Sequence, residues 1–230
     1  MPEDLIATNI SKVLEQVSTA AKKYARELND IQIMAVSKTR SADAVLAAAA
    51  AGLTHFGENY LQEALDKIEA LQTHNLTWHF IGPIQSNKTR ALAEQFDWVH
   101  SVDRAKILRR LSDQRPAQKV PLNICLQVNI SGELSKSGVS PEKLGELLSL
   151  AASLPGLKLR GLMAIPAPSA NFDVQKTACD ALAELFHRSR LAHPDMDTLS
   201  LGMSADMEAA IASGSTMLRI GTAIFGPRQR

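Results

Sequence analysis

The chain has 230 residues, 45% of them hydrophobic and 21% charged, with 25 Lys+Arg against 24 Asp+Glu for a net charge of +1. These proportions are ordinary for a globular protein and exclude a disordered chain, and the balanced charge excludes attraction of the whole protein to nucleic acid or a membrane surface, leaving only local patches open. The start, MPED, is acidic where a signal peptide is basic. The richest apolar run, at 44–53, is mostly alanine and too short to span a bilayer. Two cysteines, Cys125 and Cys179, make a poor disulfide scaffold for this length, so the chain reads as cytoplasmic with reduced thiols.

In chain order, Ile6, Ile10, Val13, Val17, Ala20, Tyr24 and Leu28 recur in steps of three and four, which predicts an amphipathic helix over 5–28. A β-branched run from Ile31 then predicts a strand. Ser41 is placed to cap the next helix, with Asp43 in its first turn and Gly52 at its end. The rhythm repeats, with strands expected to begin near Ile31, Thr54, Thr77, Asp97, Pro121, Leu157, Asp197 and Thr216. Between them, Leu61, Ala64, Leu65, Ile68 and Leu71 share one helical face. Leu144, Leu147, Leu148, Ala151 and Leu154 share another, behind a Ser140 cap and Pro141. A long helix is expected over 172–192.

Strict alternation implies parallel strands, because each crossover helix returns the chain to the same end of the sheet. Eight units in 230 residues fit a single (β/α)8 TIM-type barrel with an extra N-terminal helix. A doubly wound open sheet is the competing arrangement. No linker divides the chain, and Phe225 in the eighth unit lies five residues before Arg230, so one domain over 1–230 is expected.

In a barrel the site lies where strands end. Lys38 follows the first strand and shares a face with Met34 and Val36, because side chains alternate. If that face is the inner one, its amine sits partly desolvated at the mouth and can attack a carbonyl to form an imine. The alternative is a lysine snorkelling to solvent. Arg219 lies inside a strand whose Leu218 and Ile220 suit the helix-facing side, which turns the guanidinium inward toward an acceptor, a ligand or a buried ion pair. The loops holding Gly202, Ser204, Gly221 and Thr222 combine glycine and hydroxyls after strands seven and eight, the frequent phosphate site of barrels. Ser204 alternatively caps the following helix. An amine-reactive carbonyl compound bearing a phosphate fits these features, either a sugar phosphate in a Schiff-base aldolase or pyridoxal 5′-phosphate (PLP). Arg219 favours PLP, since an arginine can face an unprotonated pyridine nitrogen.

Other chemistry lacks a pattern. There is no GxGxxG, Walker A, GxSxG or HExxH run, and the SxxK match at 140–143 reads as a helix cap. The six histidines show no metal-ligand spacing, and His79 falls inside the third strand, lining the barrel or buried as a hydrogen-bonded core residue. Aromatic residues, at 4%, are too few for single-strand stacking platforms.

The runs AVSKT (35–39), FGENYLQE (56–63), WHFIGPIQSNK (78–88), VNIS (128–131), SKSG (135–138), RGLMAIP (160–166), LSLGMSADME (199–208) and RIGTAIFG (219–226) span nearly the whole chain in order. In them the sequence resembles the pyridoxal phosphate homeostasis protein family, which implies a fold like the barrel domain of alanine racemase. The resemblance further implies that Lys38 forms the internal aldimine with PLP. By the same likeness Arg219 faces the pyridine nitrogen, Ser200, Ser204, Gly221 and Thr222 cradle the phosphate, and Asn59 lies near the ring. His79 and Met163 are implied pocket neighbours, and Lys136 is a second functional amine or a solvated loop lysine.

Racemisation needs a base on each face of the substrate Cα. Tyr24 lies on the leading helix and nothing marks Tyr60 as a base, so the expectation is a monomeric, non-catalytic PLP carrier. It would store, sequester or deliver PLP to apo PLP-dependent enzymes, with no metal. A racemase-like PLP enzyme with weak activity is the alternative.

Overall fold

The computed structural model describes residues 3–131 and 137–227. Eight strands run in the order β1 (Gln32–Val36), β2 (His55–Glu58), β3 (Thr77–Phe80), β4 (Trp98–Val102), β5 (Leu122–Gln127), β6 (Leu157–Met163), β7 (Thr198–Ser200) and β8 (Met217–Ile220). Each pairs in parallel with its sequence neighbours, and β8 closes onto β1 with Met34 opposite Arg219. The open-sheet alternative is thereby set aside. Every strand begins at, or one residue after, its expected position. Around the barrel lie α1 (Glu3–Lys23), α2 (Ala42–Ala50), α3 (Leu61–Ala70), α4 (Thr89–Gln95), α5 (Ala105–Gln114), α6 (Leu144–Ser153), α7 (Phe172–Ala192), α8 (Met207–Ala212) and α9 (Thr222–Phe225). Among the described residues no helix is long and apolar enough to cross a membrane. Cys125 and Cys179 are both free and buried.

The main core lies between strands and helices, and outward residues such as Ile33, Ala35, Val99, Ile124 and Leu218 belong to it together with Ile6, Ile10, Val13 and Val17 of α1. Two helix boundaries differ from expectation. The first helix ends at Lys23, because Ala25 adopts a left-handed φ of +51° and the next amide, of Arg26, donates to Ala21 O at 2.9 Å. That is a Schellman ending without its usual glycine, so no residue type announced it. Ser140 precedes a 3-10 turn over Pro141–Lys143 with no side-chain cap bond. The nearby Ser140 hydroxyl and the Glu142 amide hold the Glu142 carboxyl below its usual range.

The barrel interior is polar along one line. His55 Nδ1 lies 2.8 Å from His79 Nε2, His79 Nδ1 lies 2.9 Å from His100 Nε2, and His100 Nδ1 lies 3.1 Å from Ser200 Oγ. Arg219 Nη1 completes the line, donating to Ser200 Oγ at 2.9 Å. A guanidinium only donates. With the Ser200 hydroxyl accepting from Arg219 and donating to His100, each following histidine carries its proton on Nε2 and passes a hydrogen bond toward His55. Trp98 flattens against both inner rings, 5.4 Å from His79 and 5.6 Å from His100. The three histidines form a file, and among the described residues no group of His, Cys, Asp and Glu is arranged to hold a metal ion.

Burial first, then neighbouring positive charge, pushes His79 well below its ordinary value and His100 down to about 3. Both are neutral in the fold, whereas in the unfolded chain they titrate near 6.5. Below that pH the unfolded chain binds more protons, so this contribution to stability is full above about 6.5 and is lost as pH falls, for His100 toward about 3. The slope is at most about 1.4 kcal/mol per pH unit for each histidine. Urea midpoints measured from pH 7 to pH 4.5 should fall, and fall less steeply in His100→Gln; equal slopes would contradict the assignment.

Gly161 of β6 sits against the β7 backbone, where a Cβ would meet Thr198 O at 1.6 Å. Since neither strand can retreat within a closed sheet, Gly161→Ala should cost about 3 kcal/mol and lower the thermal midpoint by roughly 6–12 °C.

Candidate active-site cavity at the barrel mouth

A cavity of about 310 Å³ opens at the C-terminal ends of the strands, at the small end of the ~300–1,000 Å³ range of ligand sites. Val36 and Lys38 enter it from the end of β1, and Arg219, Gly221 and Thr222 from β8 and the turn beyond. Asn59 and Ile81 contribute from the loops after β2 and β3, Ile165 from the loop after β6, and Met203, Ser204 and Ala205 from the loop after β7. Six of the nine residues expected at the site therefore meet on one wall: Lys38, Asn59, Ser204, Arg219, Gly221 and Thr222.

The other three stand below it. Met163 is fully buried with Trp98 and Cys125 inside the barrel. His79 is the middle member of the histidine file. Ser200, expected in the phosphate cradle, points instead into the interior, where its Oγ meets Arg219 and His100. It is the last residue of β7 and still obeys strand alternation, whereas Ser204 lies beyond the turn and reaches the mouth. Lys136 lies outside the described residues.

Arg219 is only 3% exposed. Its Nη1 donates to Ser200 O at 2.6 Å and its Nη2 to Ala164 O at 2.8 Å, so both polar ends are held by backbone and hydroxyl oxygens of β7 and the end of β6. Burial lowers its pKa to about 10, partly offset by the negative charge of Asp206. It remains a cation at neutral pH, anchored by neutral acceptors on the floor of the cavity.

The loop after β7 is shaped by Gly202, whose φ is +95° and whose Cβ would meet Ala210 Cβ at 2.5 Å. The Met203 amide donates to the Asp206 carboxylate at 2.6 Å, and Asp206, not Ser204, occupies the N-cap position of α8. The Ser204 hydroxyl accepts the Ala223 amide at 3.4 Å, joining this loop to the first turn of α9. Asn59 Oδ1 is buried without a hydrogen-bond partner. A buried acceptor left unpaired is costly, and on a cavity wall it is a place for a ligand donor. An amine, a fixed cation, an orphaned acceptor and a hydroxyl-bearing loop pair suit a carbonyl compound that carries an aromatic nitrogen and a phosphate, so the residues fit PLP.

The sequence reading missed a second group beside this wall. Lys67 of α3 is buried and bonds Glu58, Glu63 and the Ser37 carbonyl. One signal was present, since Lys67 follows Ala64 by three residues on the apolar face of α3.

The model of the alanine racemase N-terminal domain family matches residues 11–229. A relative from Pseudomonas aeruginosa, named pyridoxal phosphate homeostasis protein, is 57% identical over 223 residues, covering 97% of this chain and 96% of its own. PipY of Synechococcus elongatus PCC7942, solved with PLP bound, is 33% identical, with a TM-score of 0.84 over 96% of this chain and 100% of that one. Alanine racemase from Corynebacterium glutamicum shares the fold at 18% identity, with a TM-score of 0.71 over 99% of this chain and 62% of its own. A closed eight-stranded barrel, a full-length match to that family model and majority identity across nearly the whole chain place this protein in the alanine racemase N-terminal domain family, among the pyridoxal phosphate homeostasis proteins.

Proposed function

We propose that the chain binds PLP in the mouth cavity as a Schiff base on Lys38, and that it serves PLP homeostasis by storage, delivery or sequestration. The observation that carries this reading is that Lys38 and Arg219, from opposite ends of the sequence, wall one cavity. The aldehyde of PLP condenses with a primary amine with loss of one water and no change of oxidation state, and Lys38 supplies that amine. Arg219, a fixed donor, holds the ring nitrogen unprotonated, which weakens the ring as an electron sink. The Ser204 and Thr222 hydroxyls and the backbone at Gly221 receive the phosphate, and Asn59 Oδ1 gains a donor. The PLP-bound relative and the names of the curated relatives support the same assignment.

We read the protein as a carrier, without turnover. Tyr60 is 51% exposed and off the cavity wall, and the Tyr24 hydroxyl donates to Glu208 at 3.0 Å. The curated relatives' names, homeostasis proteins, support holding the cofactor over moving a proton at Cα. The recipients we propose are apo PLP-dependent enzymes, served by a cytoplasmic monomer.

Purified protein with added PLP should show the visible absorbance band of an imine, and Lys38→Ala should lose it. A band unchanged in Lys38→Ala would place PLP elsewhere, and no band in the wild type would bring forward a sugar-phosphate aldolase. Amino acids incubated with the loaded protein in deuterated solvent should take up no deuterium at Cα by mass spectrometry; uptake would establish the racemase-like alternative.

A further inference from the structure

Lys38 lies beyond the reach of the sheet. β1 ends at Val36, and the last bond to β2 is the Ser37 amide donating to Gly57 O at 3.0 Å. Past that point a turn bond, the Arg40 amide donating to the Ser37 carbonyl at 3.1 Å, and a set of side chains hold the chain. Lys67 Nζ donates to the Ser37 carbonyl at 2.7 Å. The Ser37 hydroxyl donates to Glu58 Oε1 at 2.6 Å, and the Thr39 amide donates to Glu63 Oε1 at 2.6 Å. The same ammonium joins the two carboxylates, 2.8 Å from Glu58 Oε1 and 2.6 Å from Glu63 Oε1. All three ammonium protons are thus used, and three atoms of the two residues flanking Lys38 end on one cluster.

The inner part of the cluster is buried, with Lys67 5% exposed and Glu58 fully buried, while Glu63 reaches the surface at 30% exposure. Burying charges costs desolvation, and a buried ion pair is poor evidence of added stability. What it achieves here is directional. Thr39 holds a φ of +62°, a left-handed conformation that a β-branched residue rarely adopts. Such a residue persists only where its surroundings over-determine it, and here the turn bond from Arg40 to Ser37 and the Glu63 carboxylate bound to the Thr39 amide do so together. Ser37 is fixed on its carbonyl and its hydroxyl together, which sets the direction of the Cα–Cβ bond one residue later.

We propose that Lys67, with Glu58 and Glu63, is a positioning cluster that aims Lys38 into the cavity. It touches neither cavity nor cofactor and acts through the backbone of residues 37 and 39. The inference rests on Lys38 being the amine that receives PLP, and the test separates the two claims.

Lys67→Met keeps the length of the stem and removes every donor. Glu63→Ala is the milder probe, and Glu63→Gln retains an acceptor for the Thr39 amide. Without PLP, hydrogen exchange at the Thr39 amide, followed by NMR, should speed up about tenfold or more in Lys67→Met and Glu63→Ala and stay near wild type in Glu63→Gln. With PLP, formation of the imine absorbance band should slow by roughly tenfold or more in the first two and recover in Glu63→Gln. Leu111→Ala, in the core of α5 away from the mouth, is the control for lost stability and should form the band at the wild-type rate. A Lys67→Met protein with wild-type Thr39 exchange and wild-type imine formation overturns the proposal, as does an equal slowing in Leu111→Ala. Absence of the band in the wild type overturns the Lys38 reading alone, and Thr39 exchange then still decides whether the cluster holds residues 37–39.

Discussion

Pairing of β1 with β8 closes the sheet, and the chemistry of the mouth depends on that closure. Gln32, Ile33, Met34 and Ala35 lie opposite Met217, Leu218, Arg219 and Ile220. The first strand delivers Lys38 and the last delivers Arg219, Gly221 and Thr222, so the amine, the cation and the hydroxyl-bearing turn meet across one seam. An open sheet would leave β1 and β8 on separate edges. Parallel pairing also sends every strand end to the same face, which is why the loops after β2, β3, β6 and β7 complete the same cavity.

Closure has a consequence for the interior. A barrel of eight strands leaves room only for side chains, and polar ones placed there must satisfy each other. Arg219 is held by Ser200 and Ala164, Ser200 leads to His100, and the histidines continue to His55, whose ring is half-buried near the opposite end. The guanidinium sets the polarity of the file because it has protons to give and none to accept. Beside the barrel, Lys67 plays a comparable part for Glu58 and Glu63. Two buried cations therefore flank the mouth, Arg219 on the floor of the cavity and Lys67 beside the backbone from which Lys38 departs.

The elements were legible because their signals are local. A β-branched run marked the first strand and the repeating rhythm placed the other seven, and the three-four spacing placed the buried face of α1. The inward turn of Arg219 followed from its neighbours Leu218 and Ile220, both in the helix-facing core. Where the expectations departed from the structure, a nonlocal contact decided. The end of α1 is set by backbone bonds through Ala25, with Arg26 reaching Ile211 O and Ser215 O near the end of α8. The likeness to the family set Ser200 in the phosphate cradle, yet its hydroxyl serves two residues that are remote in the chain. Lys67 was not singled out from the sequence, because two of its three partners, Glu58 and Ser37, lie on β2 and just past β1.

The sequence by itself determined the βα rhythm, the count of eight and the residues Lys38, Asn59, Ser204, Arg219, Gly221 and Thr222 as occupants of strand ends. Local periodicity and side-chain alternation depend only on neighbours in the chain. The tertiary structure alone decided the order of the file from His55 to Arg219, the unpaired Asn59 acceptor and the cluster that grips Ser37 and Thr39. Each of these is a matter of ångström distances between strands and helices far apart in sequence, and such distances exist only once the sheet has closed.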